Sequence, residues 1–190
     1  MGEKMSQDEQ AEPFQLVESE YLLRSPWRNF RVDRVDIGGG REIKYSYVEA
    51  PQAVYVVPLT SDGQIALIRQ YRYPIRAWEL EIPAGSIDDQ EDLIEAAKRE
   101  LSEEVGGECQ EMLHVGSFYN CAAHTNLSSE VFLATGVKLG VAHLEETERL
   151  VQLVLPAREV LALAHQGGIA DSQSAYSILL AEPYILARLS

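Results

Sequence analysis

The chain has 190 residues, 46% of them hydrophobic and 24% charged, enough to bury one core of ordinary domain size but not two comfortable ones. Lys and Arg number 16 against 30 Asp and Glu, a formal charge of -14. The surface therefore repels phosphate backbones and anionic head groups, which argues against nucleic acid and membrane as bulk partners. A small polyanion binds such a chain only where local arginines or bound divalent cations reverse the field.

No apolar run approaches the ~20 residues of a membrane-spanning helix, and Met1 to Gln15 lacks the apolar stretch of a signal peptide. The expected location is cytoplasmic. Cys109 and Cys121 have no pairing or metal-ligand spacing, which suits a reducing compartment. Met1-Gly2 with Ser6 fits a loose acyl-anchor pattern and Asn126-Leu127-Ser128 a glycosylation acceptor, both short enough to arise by chance.

Residues 1–20 are polar and acidic, a flexible terminus unless docked. Over 21–50, Phe30 and Val32, then Val35 and Ile37, alternate with charged residues. Gly38-Gly39-Gly40 supplies a turn, and Ile43, Tyr45 and Tyr47 alternate again. This predicts a hairpin with a bulge between Val32 and Val35. A hairpin is marginal alone, so it must pack on the main body or on a second copy of the chain.

The main domain, 51–190, opens with core strands at Ala53–Val57 and Ile65–Ile68, joined by Thr60-Ser61-Asp62-Gly63. Leu80–Pro83 is a short extended piece. A helix with an acidic first turn runs to Val105 and stops at Gly106-Gly107. Strands follow at Leu113–Tyr119, Val131–Ala134 and Leu150–Leu155, then a helix opened by Pro156 and ended by Gly167-Gly168. A last helix starts near Asp171 and is expected to break at Pro183. The class is mixed α and β, a sheet layer covered by helices.

On a helical wheel, Glu100, Glu103 and Glu104 share an arc of roughly 100°, bordering the apolar arc of Leu93, Ile94, Ala97, Leu101 and Val105. Exposed, such like-charge pairs cost about 0.2–0.5 kcal/mol each. Partly desolvated at about 6 Å, they repel by roughly 3 kcal/mol at an effective dielectric of about 20. A divalent cation removes that cost, and all-oxygen ligands suit Mg²⁺ or Mn²⁺ rather than zinc. By spacing alone, a solvated acidic face is the commoner interpretation, since acidic helix faces are usually solvated.

The surrounding string adds to this. Gly85, five residues, Glu91, seven residues, then Arg99-Glu100-Leu101-Ser102-Glu103-Glu104-Val105-Gly106 resembles the Nudix box. Ala53–Leu59, Ile68-Arg69-Gln70-Tyr71-Arg72 and Trp78-Glu79-Leu80-Glu81-Ile82-Pro83-Ala84-Gly85 resemble the ADP-ribose pyrophosphatase branch of that family. The resemblance implies an α/β/α sandwich with a mixed sheet, an N-terminal antiparallel sheet that forms a homodimer, and attack of water on a phosphoanhydride of a nucleoside diphosphate sugar.

It further implies that Glu100, Glu103 and Glu104, with the Ala84 carbonyl, hold the metal, Mg²⁺ or in its place Mn²⁺. Gly85, Glu91, Arg99 and Gly106 shape the loop and helix; Glu81, Arg69 and Arg72 lie near substrate. A glutamate before a late strand acts as general base, Glu146 favoured over Glu148 among Glu145-Glu146-Thr147-Glu148, with a box glutamate such as Glu103 as the alternative. Trp78, Tyr71 and Tyr73 either stack on a base or pack in a core or interface.

Two slots depart from the family pattern. Gly107 stands where the box ends in an aliphatic residue, and Ala122 stands where this branch carries a proline. The second leaves the preferred sugar open, because a missing ring frees φ and restores a backbone donor. His124 nearby either contacts a ligand or is solvated. Competing functions are a nucleotide-sugar sensor without turnover, which the intact carboxylates disfavour, and an isoprenoid diphosphate isomerase, which needs a Cys and Glu pair that Cys109 and Cys121 do not supply.

Overall fold

The computed structural model describes residues 12–144 and 149–189. The Met1-Gly2-Ser6 pattern lies outside the described residues. The chain divides into two compact units, one running to Ala50 with Cys121–Leu127 added, the other Pro51–Asn120 with Ser128–Ser190.

In the first unit, strands β1 (Gln15–Leu23), β2 (Asn29–Asp36) and β3 (Glu42–Glu49) form an antiparallel sheet in that order. Gly38, Gly39 and Gly40 all take positive φ at the β2–β3 turn, and the Gly38 N–H donates to the Asp36 carboxylate at 2.7 Å. Strand β2 pairs with β3 in unbroken register. The irregularity expected between Val32 and Val35 belongs instead to β1, between Leu16 and Glu18, opposite Val35 and Arg34.

The alternation slips in β2 because Asp33, a charged residue, takes the inward position beside Val35. Burial alone pushes its pKa up, but hydrogen bonds from Arg31, at 2.7 Å, and from Ser19 carry it below the ordinary carboxylate range. Charge also holds β1, which starts ahead of Tyr21: Arg34 reaches Glu18 at 3.0 Å and Glu42 at 2.6 Å, one on each neighbouring strand. Leu16, Leu23, Trp27 and Ile43 remain exposed on this sheet.

The second unit holds β4 (Ala53–Thr60), β5 (Gln64–Arg72), β6 (Ala77–Glu81), β7 (Ala84–Ser86), α1 (Leu93–Val105), β8 (Glu111–Tyr119), β9 (Ser128–Val137), β10 (Leu150–Pro156), α2 (Ala157–Gln166) and α3 (Ser172–Arg188). The sheet order is β10-β5-β4-β9-β8. Strand β4 is parallel to β9 while the other pairings are antiparallel, so the sheet is mixed.

Both faces of the central strands are apolar, which is why they read as continuous runs. Val54, Val56, Ala66 and Ile68 pack with Ala96, Ala97, Leu101 and Val105 of α1. Val57, Leu59, Ile65 and Leu67 pack with Val160, Leu161, Ile178 and Ile185 of α2 and α3. This is the expected α/β/α sandwich.

Two local features position the acidic face of α1 and the short strands beside it. Strands β4 and β5 pair next to their turn, at Leu59 opposite Ile65, and then part: β7 pairs with β4 and β6 with β5. The chain crosses that gap at Ile82-Pro83. Helix α1 is capped by Asp92, whose carboxylate accepts from the Ile94 N–H at 2.9 Å, and ends at Gly106 with φ 60°.

Helix α3 corrects an expectation, for it runs through Pro183 to Arg188. Ile178, Ala181 and Ile185, fully buried on either side of the proline, anchor both halves to the sheet and offset the lost backbone hydrogen bond, which costs roughly 3 kcal/mol in a helix interior.

Candidate active site

The three carboxylates of α1 divide by depth. Glu100 and Glu104 are buried, and Glu103 lies at the rim with 38% of its side chain exposed. The approach of Glu100 depends on Gly85: a β-carbon there would lie 2.0 Å from Glu100 Oε1. The Ala84 N–H donates to Glu104 Oε2 at 2.9 Å, so Ala84 and Gly85 of β7 each meet one buried carboxylate.

Arg99 ties this group to the preceding loop. Its Nε and Nη2 donate to the two oxygens of Glu91 at 2.9 and 3.0 Å, and Nη2 also to the Ser86 carbonyl at 2.9 Å. Nη1 donates to Glu100 Oε1 at 2.6 Å and Glu103 Oε2 at 3.1 Å. Hydrogen bonding to Glu91 leads the effects that hold the guanidinium pKa well above its ordinary value, and Arg99 lowers that of Glu91 in turn. Among the described residues no three acidic, His or Cys side chains already cage a point in space. Here Arg99 is the cation between Glu100 and Glu103.

That arrangement fits a hard divalent cation. Two carboxylates already share a positive group, a third is held against the Ala84 peptide, and the donors are oxygens. The loop Gly140–Leu144 closes on the end of α1. A β-carbon on Gly106 would lie 2.5 Å from the Gly140 carbonyl carbon, and the His143 N–H donates to the Glu103 carbonyl at 2.7 Å. Glu145, Glu146 and Glu148 come next and lie outside the described residues.

Strand β5 separates the residues expected near substrate. Arg72 donates Nε to Glu81 Oε1 at 2.7 Å and Nη2 to Glu81 Oε2. Burial raises the Glu81 pKa above its ordinary value despite this partner, and the negative charge of Asp171 adds to the rise. Arg69 falls on the other face of the strand, opposite Leu80, which packs toward α2 and α3. Trp78, half exposed, pairs with Tyr71 on that same face, their rings 5.8 Å apart and edge-on. The structure thus joins Arg72 with Glu81, and Trp78 with Tyr71, but not Arg69 with Arg72.

Four further residues have no role assigned by the sequence motifs, although Tyr55 and Gln70 lie within them. Tyr55 of β4, opposite Ala84, is pushed up to about 12 chiefly by burial. Buried Gln70 has its side-chain oxygen without a hydrogen-bond partner. Asp171 caps α3, accepting from the Ser174 N–H at 2.8 Å, and the Ser174 hydroxyl accepts from the Ile82 N–H at 3.1 Å. Only the Asp171 cap had a local sequence signal, at the start of the last helix. In the first unit, Ala122 lies in a turn where the His124 and Thr125 N–H groups both donate to the Cys121 carbonyl, at 2.8 and 3.0 Å. A solvent-open depression of about 520 Å³ near Asp62, Gln110, Thr135 and Arg188 shares none of the α1 carboxylates.

Residues 49–170, well over half the chain, match the NUDIX domain model. The chain belongs to the Nudix family. An ADP-ribose pyrophosphatase of Mycobacterium tuberculosis is 31% identical to this Nudix chain over 172 residues, spanning 87% of it and 82% of that protein. An ADP-ribose pyrophosphatase of Bacillus subtilis is 29% identical, spanning 77% and 80%. A methanol dehydrogenase activator of Bacillus methanolicus is 30% identical, spanning 85% and 89%.

A crystal structure of an ADP compounds hydrolase superposes with a TM-score of 0.80 over 93% of this chain and 96% of that one, at 22% identity, a likeness of fold. This chain is a Nudix pyrophosphatase, an enzyme of a family that acts on nucleoside diphosphate derivatives and uses divalent metal ions. No helix among its described residues is long and apolar enough to cross a membrane.

Proposed function

We propose that this Nudix enzyme hydrolyses the pyrophosphate bond of ADP-ribose or a closely related nucleoside diphosphate sugar with Mg²⁺, giving AMP and ribose 5-phosphate from ADP-ribose. The observation that carries the proposal is the shared Arg99 nitrogen between Glu100 and Glu103, beside Glu104 held on the Ala84 peptide. This is a place where positive charge is already accommodated among clustered carboxylates, two of them buried. The two ADP-ribose pyrophosphatases that align over most of the chain support the substrate class.

In this proposal Glu100, Glu103, Glu104 and the Ala84 carbonyl hold the cation, with Mn²⁺ able to replace Mg²⁺. When bound, the metal supplies Lewis acidity toward the phosphates and a more acidic water. Gly85, Glu91, Arg99 and Gly106 keep the carboxylates in place. Glu146, Glu148 or Glu103 takes the proton of the attacking water. Arg72 offers positive charge beside Glu81, and Arg69 and Trp78 are assigned to the remaining parts of the ligand, on the other face of β5. A second copy of the chain covers the exposed Leu16, Leu23 and Trp27 as a homodimer. The enzyme is assigned to the cytoplasm, without nucleic acid or membrane as partner.

Incubation of the purified chain with Mg²⁺ and a panel of ADP-ribose, other nucleotide sugars, dinucleoside polyphosphates and nucleoside triphosphates tests the proposal. Chromatography is expected to show AMP and ribose 5-phosphate in equal amounts, and Glu104→Gln to turn over about 100-fold more slowly or worse. Absence of turnover on every nucleotide sugar overturns it.

A further inference from the structure

The crossing at Ile82-Pro83 is held from both sides of the sheet. On the α1 side, the Ala84 N–H donates to Glu104 at 2.9 Å. On the other side, the Ile82 N–H donates to the Ser174 hydroxyl of α3 at 3.1 Å, and both residues are fully buried. Pro83 has no N–H, and its carbonyl accepts from the Val56 N–H at 2.9 Å. The Pro83 carbonyl is thus taken up by β4, but with β4 and β5 parted here the Ile82 and Ala84 N–H groups go to side chains of the two helices.

We infer that Ser174 is a positioning residue of the active site, fixing the Glu81–Ala84 segment from behind while Glu104 fixes it from in front. Its hydroxyl binds the residue directly after Glu81 and two before Ala84, so a shift at Ile82 moves both the Glu81 carboxylate and the Ala84 carbonyl. The first turn of α3 is itself anchored, since Asp171 accepts from the Ser174 N–H at 2.8 Å. The charge of Asp171 also reaches Arg72, Glu81 and Tyr55, which places the start of α3 next to that ion pair. Removing the hydroxyl leaves a buried N–H without a partner, and the segment relaxes to find one.

The inference rests on the proposed hydrolase function, and its test separates the two. Wild type, Ser174→Ala, Ser174→Cys, Ser174→Thr and Glu104→Gln are assayed with ADP-ribose while Mg²⁺ is titrated, well below each variant's own melting temperature. Ser174→Ala is expected to lose about tenfold or more in kcat and to need several-fold more Mg²⁺ for half-maximal rate, with KM for the nucleotide little changed, because displacements of about 1 Å carry costs of this order. Ser174→Thr, which keeps the hydroxyl, recovers most of the loss. If Ser174→Ala does not fold, Ser174→Cys, of similar volume but a weaker acceptor, carries the same comparison.

Unchanged kcat and Mg²⁺ requirement in the folded variant, with only the melting temperature lowered, overturns the inference. An active wild type with Glu104→Gln silenced leaves the hydrolase proposal standing in that case. An inactive wild type overturns both.

Discussion

The Glu100 carboxylate lies against the α-carbon of Gly85, where a β-carbon would stand 2.0 Å from Oε1 and 2.6 Å from Oε2. Glu100 is buried and bonded to Arg99 at 2.6 Å, so it has little room to retreat. The glycine opening the box is therefore required by side-chain space. Gly85→Ala is expected to push Glu100 away from Arg99 and cut kcat/KM by about 100-fold, the cost of displacing a charged group by an ångström or so. Far-ultraviolet circular dichroism should stay close to wild type. Near-normal turnover in a folded Gly85→Ala chain contradicts the assignment of Glu100 to the metal.

The site is also expected to come apart in acid. Hydrogen bonds from Arg99 hold the Glu91 pKa below its ordinary 4.5. A carboxylate whose folded pKa is depressed contributes stability that is fully present above the unfolded value and is lost as pH falls through the lower folded value. Loosening of residues 86–91 should therefore begin below about pH 4.5 and progress with acidification, followed by hydrogen exchange at Asp88, whose N–H donates to Glu91 at 3.0 Å. In Glu91→Gln the protection of Asp88 should no longer depend on pH over that range.

The carboxylate stripe was legible because helical periodicity alone places Glu100, Glu103 and Glu104 together, and Gly106 marks where the helix stops. Periodicity could not say that Glu103 is left at the rim. That follows from β7 closing over the other two, Gly85 against Glu100 and Ala84 against Glu104, contacts between separate segments of the chain. The same limit hid Ser174, whose bond to Ile82 spans 92 positions. Arg69 and Arg72 read alike in sequence, yet an odd spacing on a strand sends them to opposite faces.

Pro183 shows local propensity yielding to tertiary packing. The sequence points to a break, but α3 continues because its buried face spans the proline. Pro183→Ala should restore a backbone donor toward Leu179 and raise stability, by up to roughly 3 kcal/mol, read as a higher denaturant midpoint with unchanged slope. A lower midpoint would mean that the proline fits a bend the helix needs.

Gly107 is the slot where the chain departs from the family's aliphatic residue, and the space is filled by a neighbour. A β-carbon on Gly107 would lie 2.8 Å from Leu101 Cγ and 2.9 Å from Cδ1. Leu101, 1% exposed, sits in the cluster formed by Val54, Ile68 and Phe132, and the Gly107 N–H donates to its carbonyl at 3.0 Å. The two positions thus compete for one volume. Gly107→Ala should destabilise by about 1–3 kcal/mol through overpacking, and Leu101→Ala by about 2–5 kcal/mol through the cavity it leaves. Because the added methyl enters that cavity, the double variant should be more stable than the two losses added together, by about 0.5–3 kcal/mol in a double-mutant cycle. Strict additivity in urea unfolding would show that Leu101 does not occupy the missing side chain's place.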